Sequence, residues 1–444
     1  MSVVPSTRLL WLVFGAAVLA VLAGPLPDLV PVWLLSLGLV TLISLGDLTL
    51  SFWKASPLVV SAPPVSRFSK DRDGVVPVVL GNADARARRI RFALALPGGF
   101  ESPDETAWVD LPAGAAHARI AWRCTPRQRG RFAGMLACTE TSSAFGLWRQ
   151  RQRAPVGGEL RVYPNLFAER RQLAALFFAR GEQGATAQRM VGRGRDFEKL
   201  RDYLPGDSFD EIHWKATAKR GKPVTKIFQA ERTQEIYVIL DISRLSARPT
   251  VTDGVKQTAL ERCLTAALVL LLAAERQGDR FGLVAHDDRV RLFLRAGRGA
   301  THYAACREAA LALQPSEATP DMAEIVRHLR SGLRRRALLV FLTDLTDPVL
   351  AEDFVKHVRL LARQHLVLVS QLRAPGVAPL FSGPEAADEG EIYARLAGHA
   401  RWDETRALGK KLKPLGVTAA VLENETMAAQ LVTQYLRVKR RQSL

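Results

Sequence analysis

The sequence predicts a mixed α/β protein. A doubly wound, mostly parallel sheet fills the C-terminal half, preceded by a β-sandwich domain and a two-helix transmembrane hairpin. Three observations carry this. From residue 235 onward, short apolar or β-branched runs alternate with longer amphipathic stretches. Residues 56–165 hold short, partly alternating runs separated by turn residues. The first 54 residues are dominated by two apolar stretches nearly free of charge. A chain of 444 residues with 48% hydrophobic side chains has room for about three domains with real cores.

The hairpin, residues 1–54, comes first. Leu9 to Gly24 is apolar and uncharged, Pro25-Leu26-Pro27-Asp28 makes a turn, and Val30 to Gly46 is a second apolar stretch, followed by Asp47 and then Leu48 to Trp53. Each stretch sits near the lower limit of a spanning helix, roughly 17–25 residues. Trp11, Trp33 and Trp53 lie near the ends, where interfacial aromatics are expected. Arg8 alone makes a thin basic region for a signal peptide, and the second apolar run follows at once. The connecting turn has no Lys or Arg, whereas Arg8 and Lys54 flank the pair. The positive-inside rule then places both termini and the soluble domains in the cytoplasm, with two crossings of the cell inner membrane.

Residues 55–165 read as the β-sandwich. Val75–Leu80, Arg89–Leu94, Ala118–Trp122 and Leu160–Tyr163 are strand-like, and Gly81-Asn82 and Pro97-Gly98-Gly99 are turn signals. No catalytic constellation stands there, so a spacer or binding module is expected. Residues 166–234 form a connector. It is helical over 166–190, with apolar Leu173, Leu176, Phe177 and Phe178, and then dense in charge and aromatics over 192–232. Residues 235–444 alternate. Strands are expected at 235–240, 280–286, 289–294, 337–342, 366–371 and 417–422. Helices are expected near 255–276, 301–313, 321–334, 349–364, 388–412 and 425–440. Leu260, Leu264, Leu268 and Leu271 mark the inner face of the first helix. Asp287-Asp288 reads as a hairpin turn, and the basic tail Arg437–Arg441 suits a helix C-terminus.

In an open α/β sheet the ligand site lies beyond the carboxyl ends of the strands. Strand 235–240 ends in Asp241-Ile242-Ser243, and strand 337–342 runs into Thr343-Asp344. Two strand ends each delivering an aspartate suggest oxygen ligands for Mg²⁺ or Mn²⁺. The plainer reading is that Asp241, Ser243 and Asp344 cap helices and polar loops with no metal. Cys124, Cys138, Cys263 and Cys306 lack C-x-x-C spacing, which argues against zinc and redox motifs and for reduced thiols. Cys124 and Cys138 lie in one region and could pair if it were oxidised. No phosphate-binding loop, dinucleotide fingerprint, Gly-x-Ser-x-Gly elbow or His-Glu-x-x-His is present, so no nucleotide is expected. The formal charge of +18 admits an anionic membrane, an acidic partner or nucleic acid. Arginine outnumbers lysine, and its runs at 149–153 and 334–336 match no nucleic-acid motif, so nucleic-acid binding is a distant alternative.

The segment 192–243 resembles the "domain of unknown function 58" family. The resemblance rests on Phe197-Glu198-Lys199-Leu200-Arg201-Asp202-Tyr203-Leu204-Pro205-Gly206-Asp207, on Ile212-His213-Trp214-Lys215-Ala216-Thr217-Ala218, and on the acidic strand end that follows. More loosely, 235–370 resembles a von Willebrand factor A-like domain. The resemblance implies a metal ion-dependent adhesion site, with Asp241 and Ser243 in the first loop, Thr319 from a second loop, Asp344 from a third, and a partner's carboxylate completing the shell. Leu245 departs from the pattern, which has a serine there; Ser246 is one residue late. It also implies a MoxR-type AAA+ ATPase as partner, and hence a non-enzymatic membrane adaptor or scaffold in complex assembly or maturation, its client unspecified. A metal-dependent hydrolase using Asp241 and Asp344 is the alternative. Within 197–215, Arg201, Tyr203, Asp207, Asp210, Trp214 and Lys215 are the structural or partner-contact candidates. Arg201, Asp202, Asp207, Asp210 and Lys215 are read as a buried ion-pair network, with a partner contact as the alternative, and His213 as hydrogen-bonded structure.

Overall fold

The computed structural model describes residues 2–52, 58–83, 87–179, 191–204, 209, 212–229, 234–252, 255–382 and 388–442. The chain divides into two units, Met1–Asn165 and Leu166–Leu444.

The C-terminal unit is built on a six-stranded sheet. Its order is Val290–Gly297, Arg280–His286, Glu235–Asp241, Ala337–Leu342, Leu366–Leu372 and Val417–Leu422. Only the Arg280–His286 and Val290–Gly297 pair is antiparallel; the other neighbours run parallel. The period of two along a strand sends alternate side chains to opposite faces. Ile236, Val238 and Leu240 therefore join a core with helices Ala259–Arg276 and Met427–Gln442. Tyr237 and Ile239 join another with helices Met322–Gly332 and Pro348–Ala362. Burial on both faces explains why these strands read as continuous apolar runs. Helix ends follow local chemistry: Asp321 accepts from the Glu324 N–H at 2.9 Å, and Asp347 caps a helix that opens with Pro348. The chain fills the sheet outward on one side of Glu235–Asp241, then on the other. The order reverses between that strand and Ala337–Leu342, where such sheets bind ligands.

Before this sheet, helix Phe167–Ala179 packs Leu173 into the same core, and its Glu169 meets the buried Arg262 at 3.2 Å. The side chains of Leu176, Phe177 and Phe178 and residues 180–190 lie outside the described part. The segment the sequence left without regular structure contains a strand, Val191–Asp202, paired antiparallel with Val224–Gln229. Helix Trp214–Arg220 stands between them.

In the N-terminal unit, Val76, Val78 and Leu80 of one antiparallel sheet share a core with Ile90, Phe92 and Leu94 of another. Phe92 and Trp122 meet edge to face at 5.5 Å across it. Cys124 is buried in this core, where desolvation pushes its thiol up to about 11. Cys124 and Cys138 are both free, so the pairing left open by the sequence is not formed. A strand not expected from the sequence, Ser2–Pro5, adds to the edge of the five-stranded sheet beside Trp148–Arg151.

Two apolar helices follow that strand, α1 (Thr7–Ala23) and α2 (Val30–Phe52). Of the two expected crossings, only Val30–Ser51 is long and apolar enough to span a membrane; α1 is a shorter apolar helix. Trp53 and Lys54 lie outside the described residues. Asp47 of α2 is fully buried. It accepts hydrogen bonds from the Ser143 hydroxyl at 2.5 Å, the Ser51 hydroxyl at 3.2 Å, and the N–H groups of Phe145 at 3.0 Å and Leu147 at 3.2 Å. Trp148 Nε1 donates to the Ser44 carbonyl at 2.9 Å. The far end of α2 is thus held by the loop between strands Met135–Ser142 and Trp148–Val156.

Candidate functional site

Asp241 is the last residue of the central strand and is buried. Its Oδ1 accepts from the Ser243 N–H at 2.9 Å, closing the turn that ends the strand. A short 3₁₀ turn, Arg244–Ala247, follows and lets the Ser246 hydroxyl donate to the Ser243 carbonyl at 2.8 Å. From the neighbouring strand end, Thr343 donates its hydroxyl to Asp241 Oδ2 at 2.8 Å. Asp344, next in the chain, accepts from the Thr346 N–H at 3.0 Å and lies 2.5 Å from Arg248 Nη1. A cavity of about 20 Å³ is lined by Asp241, Ser246, Arg248, Cys263, Thr343 and Asp344. That volume holds about one water-sized occupant.

The electrostatics separate the groups. Burial, with the charges of Asp241 and Asp344 beside it, pushes the Cys263 thiol up to about 12. A thiol so raised is no nucleophile near neutral pH. His286, at the end of the adjacent strand, is fully buried, and its Nε2 has no partner. Desolvation lowers its pKa against the opposing pull of Asp241. His365 is lowered too, by burial and by the Arg336 charge. The unfolded chain binds protons these rings refuse, so the stability they contribute is present above the ordinary histidine pKa of about 6.5 and lost below it. The melting temperature is expected to fall between pH 7.5 and 5.5, and to fall less in His286→Gln. A pH-independent value over that interval would contradict neutral buried rings.

The structure brings three of the four expected metal residues, Asp241, Ser243 and Asp344, to adjacent strand ends. Thr319 sits on a loop tied to the first by the Ser316 N–H to the Ile242 carbonyl at 2.7 Å and the Arg244 N–H to the Ala318 carbonyl at 3.0 Å. It does not line the cavity. As placed, these residues fit a divalent cation poorly. Both Asp241 oxygens are engaged, Asp344 is committed to Arg248, and Leu245 supplies no oxygen. Among the described residues no three His, Cys, Asp or Glu side chains gather as a metal group. One observation points the other way: the Ser243 hydroxyl is buried with no partner. The sequence reading missed Arg248. It lies seven residues past Asp241 with no local pattern to mark it, and only the fold brings it to Asp344.

The second candidate group divides. His213 caps helix Trp214–Arg220, its Nδ1 accepting from the Ala216 N–H at 3.0 Å. The Tyr203 N–H donates to the Pro223 carbonyl at 2.9 Å, and its ring lies 6.2 Å from Phe209. Arg201 is half-buried on its strand. Lys215 is exposed, which corrects its place in a buried ion-pair network: the first turn of a short surface helix points it to solvent. Trp214 is 68% exposed and Phe209 74%. Asp207 and Asp210 lie outside the described residues.

The fold and site define an α/β protein with paired carboxylates at the switch point of its sheet. Residues 199–382 match the model of a family described as "Protein of unknown function DUF58", the one its Phe197–Ala218 block resembles. It is 26% identical over 186 residues to "Uncharacterized protein Rv1480" of Mycobacterium tuberculosis (strain ATCC 25618 / H37Rv), covering 41% of this chain and 56% of that protein. The chain thus spans little more than half the length of the curated relatives it matches. Among solved structures, BatB from Bacteroides thetaiotaomicron aligns with a TM-score of 0.30 and 14% identity, over 47% of this chain and 99% of that one. An aerotolerance-related membrane protein from Bacteroides fragilis aligns with a TM-score of 0.29 and 15% identity, over 46% and 98%.

Proposed function

We propose that the protein is a membrane-anchored, non-enzymatic adaptor. Its C-terminal unit, read as von Willebrand factor A-like, receives a partner's carboxylate at the carboxyl ends of the sheet. The observation that supports this most is Arg248. Its guanidinium pairs with Asp344 at the mouth of the cavity, and its Nε has no partner. An arginine offers five donors in a fixed fork that suits a carboxylate, so a partner's carboxylate would compete with Asp344 for it. The engaged carboxylates and raised Cys263 thiol leave no evident base or nucleophile, which favours an adaptor over a hydrolase using Asp241 and Asp344. Exposed Phe209 and Trp214 offer a second contact on the family block. The resemblance of the Phe197–Ala218 block to that family supports a MoxR-type AAA+ ATPase as partner, in complex assembly or maturation. The apolar α1 and α2 support anchoring, with Arg8 favouring a cytoplasmic position for both units. The N-terminal sheets, read as a sandwich, serve as a spacer or further surface.

The second reading is a site for Mg²⁺ or Mn²⁺, favoured by the unpartnered Ser243 hydroxyl. Were Asp344 released from Arg248, then Asp241, Ser243 and Asp344, with Thr319 from the next loop, would supply oxygen ligands. Capture of a MoxR-type ATPase by the full chain, with and without chelator, tests both. Capture is expected to resist chelation and to weaken at least about tenfold in Arg248→Ala, the equivalent of ~1.4 kcal/mol. Loss of capture on chelation, with saturable Mn²⁺ binding abolished in Asp241→Ala, would establish the metal instead. Capture unchanged in both variants would overturn the site.

A further inference from the structure

The N-terminal unit contains a cavity of about 760 Å³ where the start of α1, the end of α2 and the five-stranded sheet meet. Four arginines line it: Arg8 from α1, Arg88 and Arg89 from strand Arg88–Ala95, and Arg149 from strand Trp148–Val156. Among the described residues, no Asp or Glu lines it. Arg149 and Arg89 have acidic neighbours outside the cavity. Arg149 meets Glu140 at 3.0 Å, and Glu140 is shared with Arg151 at 2.8 Å. Arg89 meets Asp110 at 3.5 Å, with both side chains mostly exposed. Such an exposed pair is weak, and Arg8 meets the Phe145 carbonyl at 3.5 Å, so the charged side chains that line the cavity are cationic.

Its position says what that charge is for. The cavity opens where the apolar surface of α1 begins, and Leu10, Trp11 and Phe14 along that helix are exposed. Trp108, 56% exposed, lines the cavity with the Arg89 guanidinium 4.9 Å from its ring centre. Where apolar helices leave a polar domain is the depth of lipid phosphates, and aromatic residues are enriched there. Guanidinium groups bind phosphate oxygens in paired hydrogen bonds, and the volume falls within the range of ligand sites, roughly 300–1,000 Å³. A free phosphate would use the arginines and ignore the apolar wall.

We propose that this cavity binds the headgroup of an anionic phospholipid, with the acyl chains lying along α1. The proposal rests on the membrane-anchored reading above.

The test uses the full chain in neutral detergent, titrated with short-chain phosphatidylglycerol, short-chain phosphatidylcholine and inorganic phosphate. Saturable binding of phosphatidylglycerol alone is expected, weakened at least about tenfold in Arg8→Gln/Arg149→Gln and only partly restored in Arg8→Lys/Arg149→Lys, which keeps the charge and loses the paired hydrogen bonds. Glu140 keeps Arg151 in the double variant, so its melting temperature should match that of the unaltered chain. If the glutamine variant does lose its fold, Arg88→Gln alone replaces it in the titration. Equal binding of phosphatidylcholine, undiminished binding in the glutamine variant, or phosphate binding as tightly as the lipid would each overturn the proposal; the last would make free phosphate the ligand. Reconstitution into vesicles separates the two readings. A chain that enters vesicles without preferring anionic lipid defeats the cavity proposal alone. A chain that does not enter them defeats the anchor.

Discussion

Replacing Asp47 with alanine is expected to destabilise the N-terminal unit by at least about 1.5–3 kcal/mol, the range for losing a hydrogen bond to a charged group. The carboxylate is fully buried and accepts two backbone N–H groups and two hydroxyls. Truncation leaves those donors without their acceptor, the Phe145 and Leu147 N–H groups most of all, since Ser51 and Ser143 also line the adjoining cavity. Asp47→Asn should fall between, because an amide offers one acceptor oxygen and presents its NH₂ to groups that are themselves donors. The measurement is thermal unfolding of the full chain in detergent, paired with protease cleavage in the 143–148 loop. An unchanged transition and an uncut loop would mean that the Trp148–Ser44 contact alone holds α2 in place.

The second large effect is expected from Asp279→Ala. This carboxylate is buried between the Tyr435 hydroxyl at 2.5 Å, the Lys439 ammonium at 2.7 Å and the Gln234 N–H at 3.0 Å. It pins the final helix, Met427–Gln442, to the start of the central strand. Removing it leaves the half-buried Lys439 ammonium with the Gln277 carbonyl at 3.2 Å but without its counter-charge, at a cost of about 3–5 kcal/mol. Hydrogen exchange should show the final helix opening first. Asp279→Ala with Lys439→Met should recover part of the loss, since replacing both partners avoids an unpaired charge. No recovery would assign the effect to Tyr435 and Gln234 instead.

The two predictions mark what the sequence could and could not convey. The alternation from 235 onward was legible because strands buried on both faces must be continuously apolar, and Leu260, Leu264 and Leu268 recur at helical spacing. Asp241 and Asp344 were legible as strand-end acids. Asp47 was visible only as an acid in an apolar run, because its donors lie about a hundred residues away. Lys439 read as a basic residue suited to a helix C-terminus; its ion pair with Asp279 is a contact of 160 residues that no local period encodes. Arg248 escaped for the same reason, and it decides how the site is read. The strand Val191–Asp202 was hidden by its charge, since a two-stranded ribbon need not alternate as a half-buried sheet does.

The strand Ser2–Pro5 has a consequence for how the chain is made. It pairs with Trp148–Arg151, and the Ser6 hydroxyl donates to the Gly146 carbonyl 140 residues further on at 2.6 Å. During synthesis Ser2–Pro5 therefore emerge before their sheet partner, which follows on the order of ten seconds later. Both apolar helices are complete before that pairing exists. Their entry into a bilayer would thus precede the closing of the sheet edge made by Ser2–Pro5.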